Sequence, residues 1–279
     1  MSAGLDHVLW IGGAQGAGKS TAARAFAHRK GLRLYFVDAF TYSHAERAET
    51  GPYPAMRVFA EKTMDERWLH PEPEEMADEF VEYSRDRFRM VLDDLRGLPS
   101  QPAIVAEGPQ LLPELVTPLL AEAEAAIWLV PTPRLQRGLH DVRPSAGPDH
   151  TSDADLVKQK MTRRNELIAD RIRTSALEHG LVLVEIDAYE EAGPALEQRL
   201  AAPESDLAPE TVRELRRDEN LMVLDQIKRY LASDEGPAEP AKLFPLSCEC
   251  TRLGCVDRVE SGLAEYEQLV RDGGFLSAH

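Results

Sequence analysis

The chain has 279 residues, 43% of them hydrophobic and 29% charged, which suits one or two soluble globular domains with sizeable cores. Its formal net charge is -16, so most of its surface would repel a polyphosphate backbone, and nucleic acid is not an expected partner. No stretch approaches a membrane span in length, and MSAGLDHVLWIGG carries no Lys or Arg before its short apolar run, so a cytoplasmic protein without membrane contact is expected.

Five apolar runs read as strands, separated by segments of helical period. HVLWI (7–11) is the first; IGGAQGAGKST (11–21) follows, then a helix through STAARAFAHRKG that Gly31 closes. LRLYFV (32–37) is the second strand. Beyond a long polar stretch, PEPEEMADEFVEYSRDRFRMVLDDLRG (71–97) has the Pro-rich, acidic start and final Gly of a helix. AIVAE (103–107), AAIWLV (125–130) and LVLVEID (181–187) complete the strands. Between the last two lie a Pro/Gly/Asp-rich segment and the helix LVKQKMTRRNELIADRIRTSALEHG. Continuous apolarity fits strands covered on both faces, and the alternation with helices implies parallel crossovers. The expected fold is α/β: a five-stranded parallel sheet flanked by helices over residues 1–195, with a lid at about 131–165. A helical extension and linker (196–240) then lead to a small Cys-rich module (241–279).

Gly13-x4-Gly18-Lys19-Ser20, between a strand and a helix, is the pattern of a phosphate-binding loop. Glycines let backbone amides turn towards phosphate oxygens, and the following helix offers its positive end. Gly13, Gln15, Gly16, Ala17, Gly18, Lys19, Ser20 and Thr21 are the expected contacts to ATP, Lys19 at the β- and γ-phosphates and Ser20 on Mg2+. The guanine-reading Asn-Lys-x-Asp of GTPases does not occur, DLRG (94–97) ends a helix, and the third strand closes on a lone Glu107 where a motor would carry Asp-Glu. Ligands gather at the carboxyl ends of parallel strands, where Asp38 and Glu107 stand. Asp38 is the expected base for an attacking hydroxyl; Glu107 either orders Mg2+ through its water or binds the acceptor. The acceptor pocket falls to residues 39–75, with His44, Arg47, Tyr53, Arg57 and Trp68 as candidates, and a helix through TYSHAERA puts His44 and Arg47 on one face. Asp187, Ala188 and Tyr189, just past the fifth strand, hold the position of an adenine-edge loop.

The loop, YFVDAF with Asp38, VRPSA with Arg143 and RRNELIAD with Arg164 together resemble the adenylate-kinase-like group of P-loop kinases, of the shikimate kinase and chloramphenicol phosphotransferase type. The resemblance covers residues 7 to about 190. It implies a kinase fold, MgATP, an acceptor-binding role for Asp38, a mobile lid whose Arg143 clamps the transferring phosphoryl with Arg164, and an adenine-stacking Arg137. The Gly-Gly-Gly turn that follows the third strand in shikimate kinases has no counterpart here, and residues 39–75 match no pattern of the group.

CECTRLGC gives Cys248-x-Cys250-x4-Cys255, and the last residue is His279; three thiolates and one imidazole make a donor set for a closed tetrahedral zinc site. Structural zinc is expected, with Asp257 or a water as substitutes for His279; thiols buried or free in a docked tail are the alternative. So short a tail with few large apolar residues would hardly fold unaided. The functional expectation is a kinase moving the γ-phosphoryl of MgATP to a hydroxyl of a small-molecule acceptor. A nucleotide-dependent regulatory protein whose zinc tail docks a protein partner is the alternative.

Overall fold

The computed structural model describes residues 4–138, 150–203, 205–233, 236 and 241–279. Five parallel strands form the sheet: β1 (Val8–Gly13), β2 (Arg33–Phe36), β3 (Ile104–Glu107), β4 (Ala126–Pro131) and β5 (Leu183–Ile186), in the order β2-β3-β1-β4-β5. The chain runs from central β1 outward to β2, back through β3, then across β1 to β4. This reversal opens a crevice at the carboxyl ends of β1 and β3, where such sheets bind ligands. Register sets Glu107 beside Ile11 on one side and Phe36 on the other.

The helices are α1 (Lys19–Lys30), α2 (Thr41–Thr50), α3 (Pro54–Glu61), α4 (Met64–Trp68), α5 (Pro73–Gly97), α6 (Pro113–Val116), α7 (Pro133–Gly138), α8 (Ala154–Glu178), α9 (Ala192–Arg199), α10 (Pro209–Ala232) and α11 (Leu263–Arg271). Alternate strand residues feed two cores, as the period of a strand requires. Val8, Trp10, Ile104 and Trp128 face Phe88 of α5 and Ile172 of α8. Leu9, Ile11, Val105 and Ile127 face Phe26 of α1 and Leu196 of α9. Both faces are covered, which explains the unbroken apolar runs.

α5 starts with Pro73 at its first turn and with the Glu72 amide donating to Glu75 (2.9 Å). Its buried stripe runs through Met76, Phe80, Ser84, Arg87, Phe88, Val91 and Leu95, so one guanidinium lies among apolar positions. Asp38 lies just beyond β2, which ends at Phe36, in one 3-10 turn, Val37–Phe40.

The Cys-bearing end contains an antiparallel hairpin, β6 (Phe244–Ser247) with β7 (Arg258–Ser261), followed by α11. Its small apolar core of Leu246 and Tyr266 is closed by Leu224 of α10. Among the described residues, no helix is long and apolar enough to cross a membrane.

Candidate nucleotide site and metal centre

The loop between β1 and α1 is shaped by glycines that nothing larger could replace. A Cβ on Gly12 would lie 2.3 Å from Trp128 Nε1, and one on Gly13 would lie 1.9 Å from the Leu129 carbonyl oxygen. Gly16 (φ 83°) and Gly18 (φ 72°) turn the backbone left-handed before α1 begins. No side chain caps α1 and no acid stands in its first turn, so its first amides face outward for an anion. Lys19 is buried, its ammonium donating to the Ala14 carbonyl at 2.7 Å, while Gln15, Ser20 and Thr21 are exposed. These features fit a phosphate chain.

Glu107 lies buried under this loop and hydrogen-bonds Ser20. Burial pushes its carboxyl up to about 7; Lys19 opposes the shift and the charge of Asp38 adds to it. The Glu107 carboxylate and the Ser20 hydroxyl are a hard-oxygen pair of the kind Mg2+ takes alongside phosphate.

Asp38 points outward, 65% exposed, with Gln110 Nε2 donating to its Oδ1 at 3.3 Å. Behind it stands Arg87, whose Nη1 is 3.8 Å from Oδ1. Arg87 also donates to the Val37 carbonyl, to Thr41 Oγ1 (2.9 Å) and, through Nε, to His44 Nδ1 (3.3 Å). His44 therefore keeps its hydrogen on Nε2, which faces Asp94 Oδ2 at 2.7 Å. Burial lowers the His44 pKa, and the Arg87 charge adds to that. Tyr35 (2.7 Å) and Arg47 (2.5 Å) complete the shell of Asp94; burial raises its pKa, but the His44, Tyr35 and Arg47 hydrogen bonds outweigh that and hold it down.

The phosphate loop, Glu107 and Asp38 thus lie close together at neighbouring strand ends. His44 lies wholly inside, behind Arg87, and Arg47 is spent on Asp94. Arg57 is exposed and donates to the Gly51 carbonyl (3.3 Å), Tyr53 lies under the Arg89 guanidinium, and Trp68 packs edge-on against Phe59. Arg164 is buried on α8 between the rings of Phe80 (5.1 Å) and Trp68 (5.7 Å); burial lowers its pKa to about 10. Arg143 lies outside the described residues. Arg137 is exposed on α7, whereas Arg134 from the same helix grips Asp187. Tyr189 stands beside the loop, 3.3 Å from where a Gly18 Cβ would be. Sequence reasoning missed Arg87 and Gln110. A charged residue in the apolar stripe of α5 and a polar residue three past the end of β3 were the available signals.

The ligand atoms of Cys248, Cys250, Cys255 and His279 lie within 4.8 Å of one another, a set that can hold a metal ion such as zinc. Cys255 Sγ is 3.5 Å from His279 Nε2, and Asp257 Oδ2 is 3.2 Å from the same nitrogen, beside His279 rather than in place of it. The Ala278 amide donates to Cys248 Sγ at 3.3 Å, the outer-shell support thiolate ligands use. Burial, with Cys250 and Cys248 alongside, pushes the Cys255 thiol up to about 12. Binding a metal there would release that proton.

No family model, curated protein or solved structure matches the chain. The five-stranded parallel sheet with flanking helices is compatible with a P-loop or Rossmann-like nucleotide-binding domain.

Proposed function

We propose that this protein is a P-loop phosphotransferase that moves the γ-phosphoryl of MgATP to a hydroxyl of a small-molecule acceptor. The observation that carries the reading is the meeting of three groups at neighbouring strand ends. Glu107 is buried against Ser20 and near Lys19 under the glycine loop, with the exposed carboxylate of Asp38 close enough to bear on its charge.

The loop amides and Lys19 bind the β- and γ-phosphates and offset the charge that builds on them. Ser20 and Glu107 would hold Mg2+, which would supply further neutralisation of the phosphate charge. Asp38 accepts a hydrogen bond from the acceptor hydroxyl and orients its oxygen at the γ-phosphorus. As the new O–P bond forms, the bond to the β-phosphate oxygen breaks, ADP leaves, and the hydroxyl proton passes to Asp38 and on to solvent. Arg87 and Gln110 fix where Asp38 points. Arg143 and Arg164 are the proposed lid-side clamp for the transferring phosphoryl, and Arg137 or Arg134 with Tyr189 the adenine edge. Zinc at the Cys cluster is proposed as structural, since the hairpin and α11 share a core of only a few large side chains.

Incubation with MgATP and a library of hydroxylated metabolites tests the reading. One acceptor class should gain the mass of one phosphate. ATP turnover that no acceptor changes would count against it.

A further inference from the structure

The Cys-bearing end is joined to the phosphate-loop helix by a buried polar network. His28 lies on α1 eight residues after Ser20, ~12 Å along the helix axis. It is 1% exposed, and both ring nitrogens face acceptors: Nδ1 is 2.8 Å from the Cys255 carbonyl, Nε2 is 2.7 Å from Glu219 Oε2. The His28 carbonyl accepts from the Gly254 amide (2.9 Å) and from Arg216 Nη2 (3.1 Å). On α10, Glu219 also pairs with Arg24 and accepts from Ser247 Oγ at 2.9 Å. Glu249, fully buried between two of the cysteines, accepts from Asn220 Nδ2 (3.0 Å) and Arg217 Nη2 (2.9 Å).

The same contacts continue to the nucleotide crevice. The Arg24 guanidinium lies 4.9 Å over the Phe36 ring, Phe36 is the register partner of Glu107, and Glu107 bonds Ser20. A chain of packed and hydrogen-bonded groups therefore runs from the thiols to the phosphate loop.

We propose that the Cys248, Cys250, Cys255 and His279 cluster does more than hold its own module together: its zinc occupancy sets the affinity of the phosphate loop for nucleotide, through the Cys255–His28–Glu219–Arg24 contacts. The inference rests on the phosphotransferase reading only for the identity of the ligand at the loop. The segment between Cys250 and Asp257 leaves Leu253 and Val256 half exposed, so apolar packing does little to fix it. A metal fixes the Cys255 backbone and so the carbonyl that His28 meets. Once that segment relaxes, His28 loses the Cys255 carbonyl and the Gly254 amide inside a buried interface, its pairing with Glu219 is no longer held in place, and α1 is no longer held at the angle that aims its first turn at phosphate. Linkage makes the effect reciprocal: nucleotide must tighten the metal by the factor by which metal tightens nucleotide.

A fluorescent ATP analogue titrated into zinc-loaded and chelator-treated full-length protein reads the first half. Loss of metal should weaken nucleotide binding by about fivefold or more. The second half uses the unmodified, loaded protein: saturating nucleotide should slow zinc transfer to a competing chelator and raise zinc affinity by the same factor. Glu219→Gln and His28→Phe should keep zinc but lose the mutual effect. Equal nucleotide affinity with and without zinc overturns the proposal. Should the metal-free chain fail to fold, zinc affinity indifferent to nucleotide overturns it instead. Failure to bind zinc sinks the coupling and leaves the phosphotransferase reading standing, whereas failure to bind nucleotide at any zinc level sinks both.

Discussion

The exposed carboxylate of Asp38 rests on the buried guanidinium of Arg87, with Oδ1 and Nη1 3.8 Å apart, and His44 holds Arg87 from behind at 3.3 Å. An outward acid on a rigid, interior support is the arrangement a hydroxyl-orienting group needs, because transfer through a loose transition state depends on aim more than on basicity.

Asp38→Asn should leave nucleotide binding intact and lower phosphoryl transfer by about 100- to 10,000-fold. Single-turnover transfer and equilibrium nucleotide titration, measured on the same preparation, separate the two effects. Full activity in the variant would remove Asp38 from the chemistry.

Arg87→Met should destabilise the fold by about 2–4 kcal/mol, since His44 Nδ1 and the Val37 carbonyl would be left without their donor inside the protein. Urea unfolding measures this. Arg87→Lys should recover part of the stability but not the aim of Asp38, because an ammonium cannot reach these partners as a fork does.

Glu107 ties stability to pH. Its carboxyl sits at about 7 in the fold against an ordinary 4.5, so the folded chain holds that proton more tightly than the unfolded one. Stability is therefore whole below about 4.5 and falls as pH rises towards 7, by about 3 kcal/mol in full. Glu107→Gln should raise stability by about that much at pH 8, with the gain vanishing near pH 4.5, while Mg2+-dependent nucleotide binding is lost. Denaturant unfolding across this pH range gives the comparison; a gain that does not change with pH would contradict the assignment.

Gly13→Ala and Lys19→Ala should separate architecture from binding. The alanine Cβ at position 13 would lie 1.9 Å from the Leu129 carbonyl in the middle of the sheet, so that variant should lose about 4 kcal/mol or fail to fold. Lys19→Ala should fold and melt like the parent yet lose productive ATP binding. Thermal melts with and without ATP distinguish them.

The five strands and the glycine turn after the first were legible because strands covered on both faces must be apolar throughout and the glycine pattern marks that turn. Asp38 and Glu107 were legible by position alone, as acids at strand ends. Arg87 was not, because its spacing in α5 is that of a core residue and only the tertiary fold brings it under Asp38. The hairpin Phe244–Ser247 with Arg258–Ser261 was equally hidden: each strand is four residues long, one contains Pro245, and neither is continuously apolar. His28, Glu219 and Glu249 read as ordinary helix and loop residues, yet they form the buried joint between the cysteine cluster and α1.

A structure with Mg2+ and a non-hydrolysable ATP analogue tests the central claim most directly. The account predicts the β- and γ-phosphates on the amides of residues 16–21, the metal beside Ser20 and Glu107, and open space for an alcohol between the γ-phosphorus and Asp38. A nucleotide bound elsewhere, or phosphates in the loop with Asp38 turned from the γ-phosphorus, would contradict it.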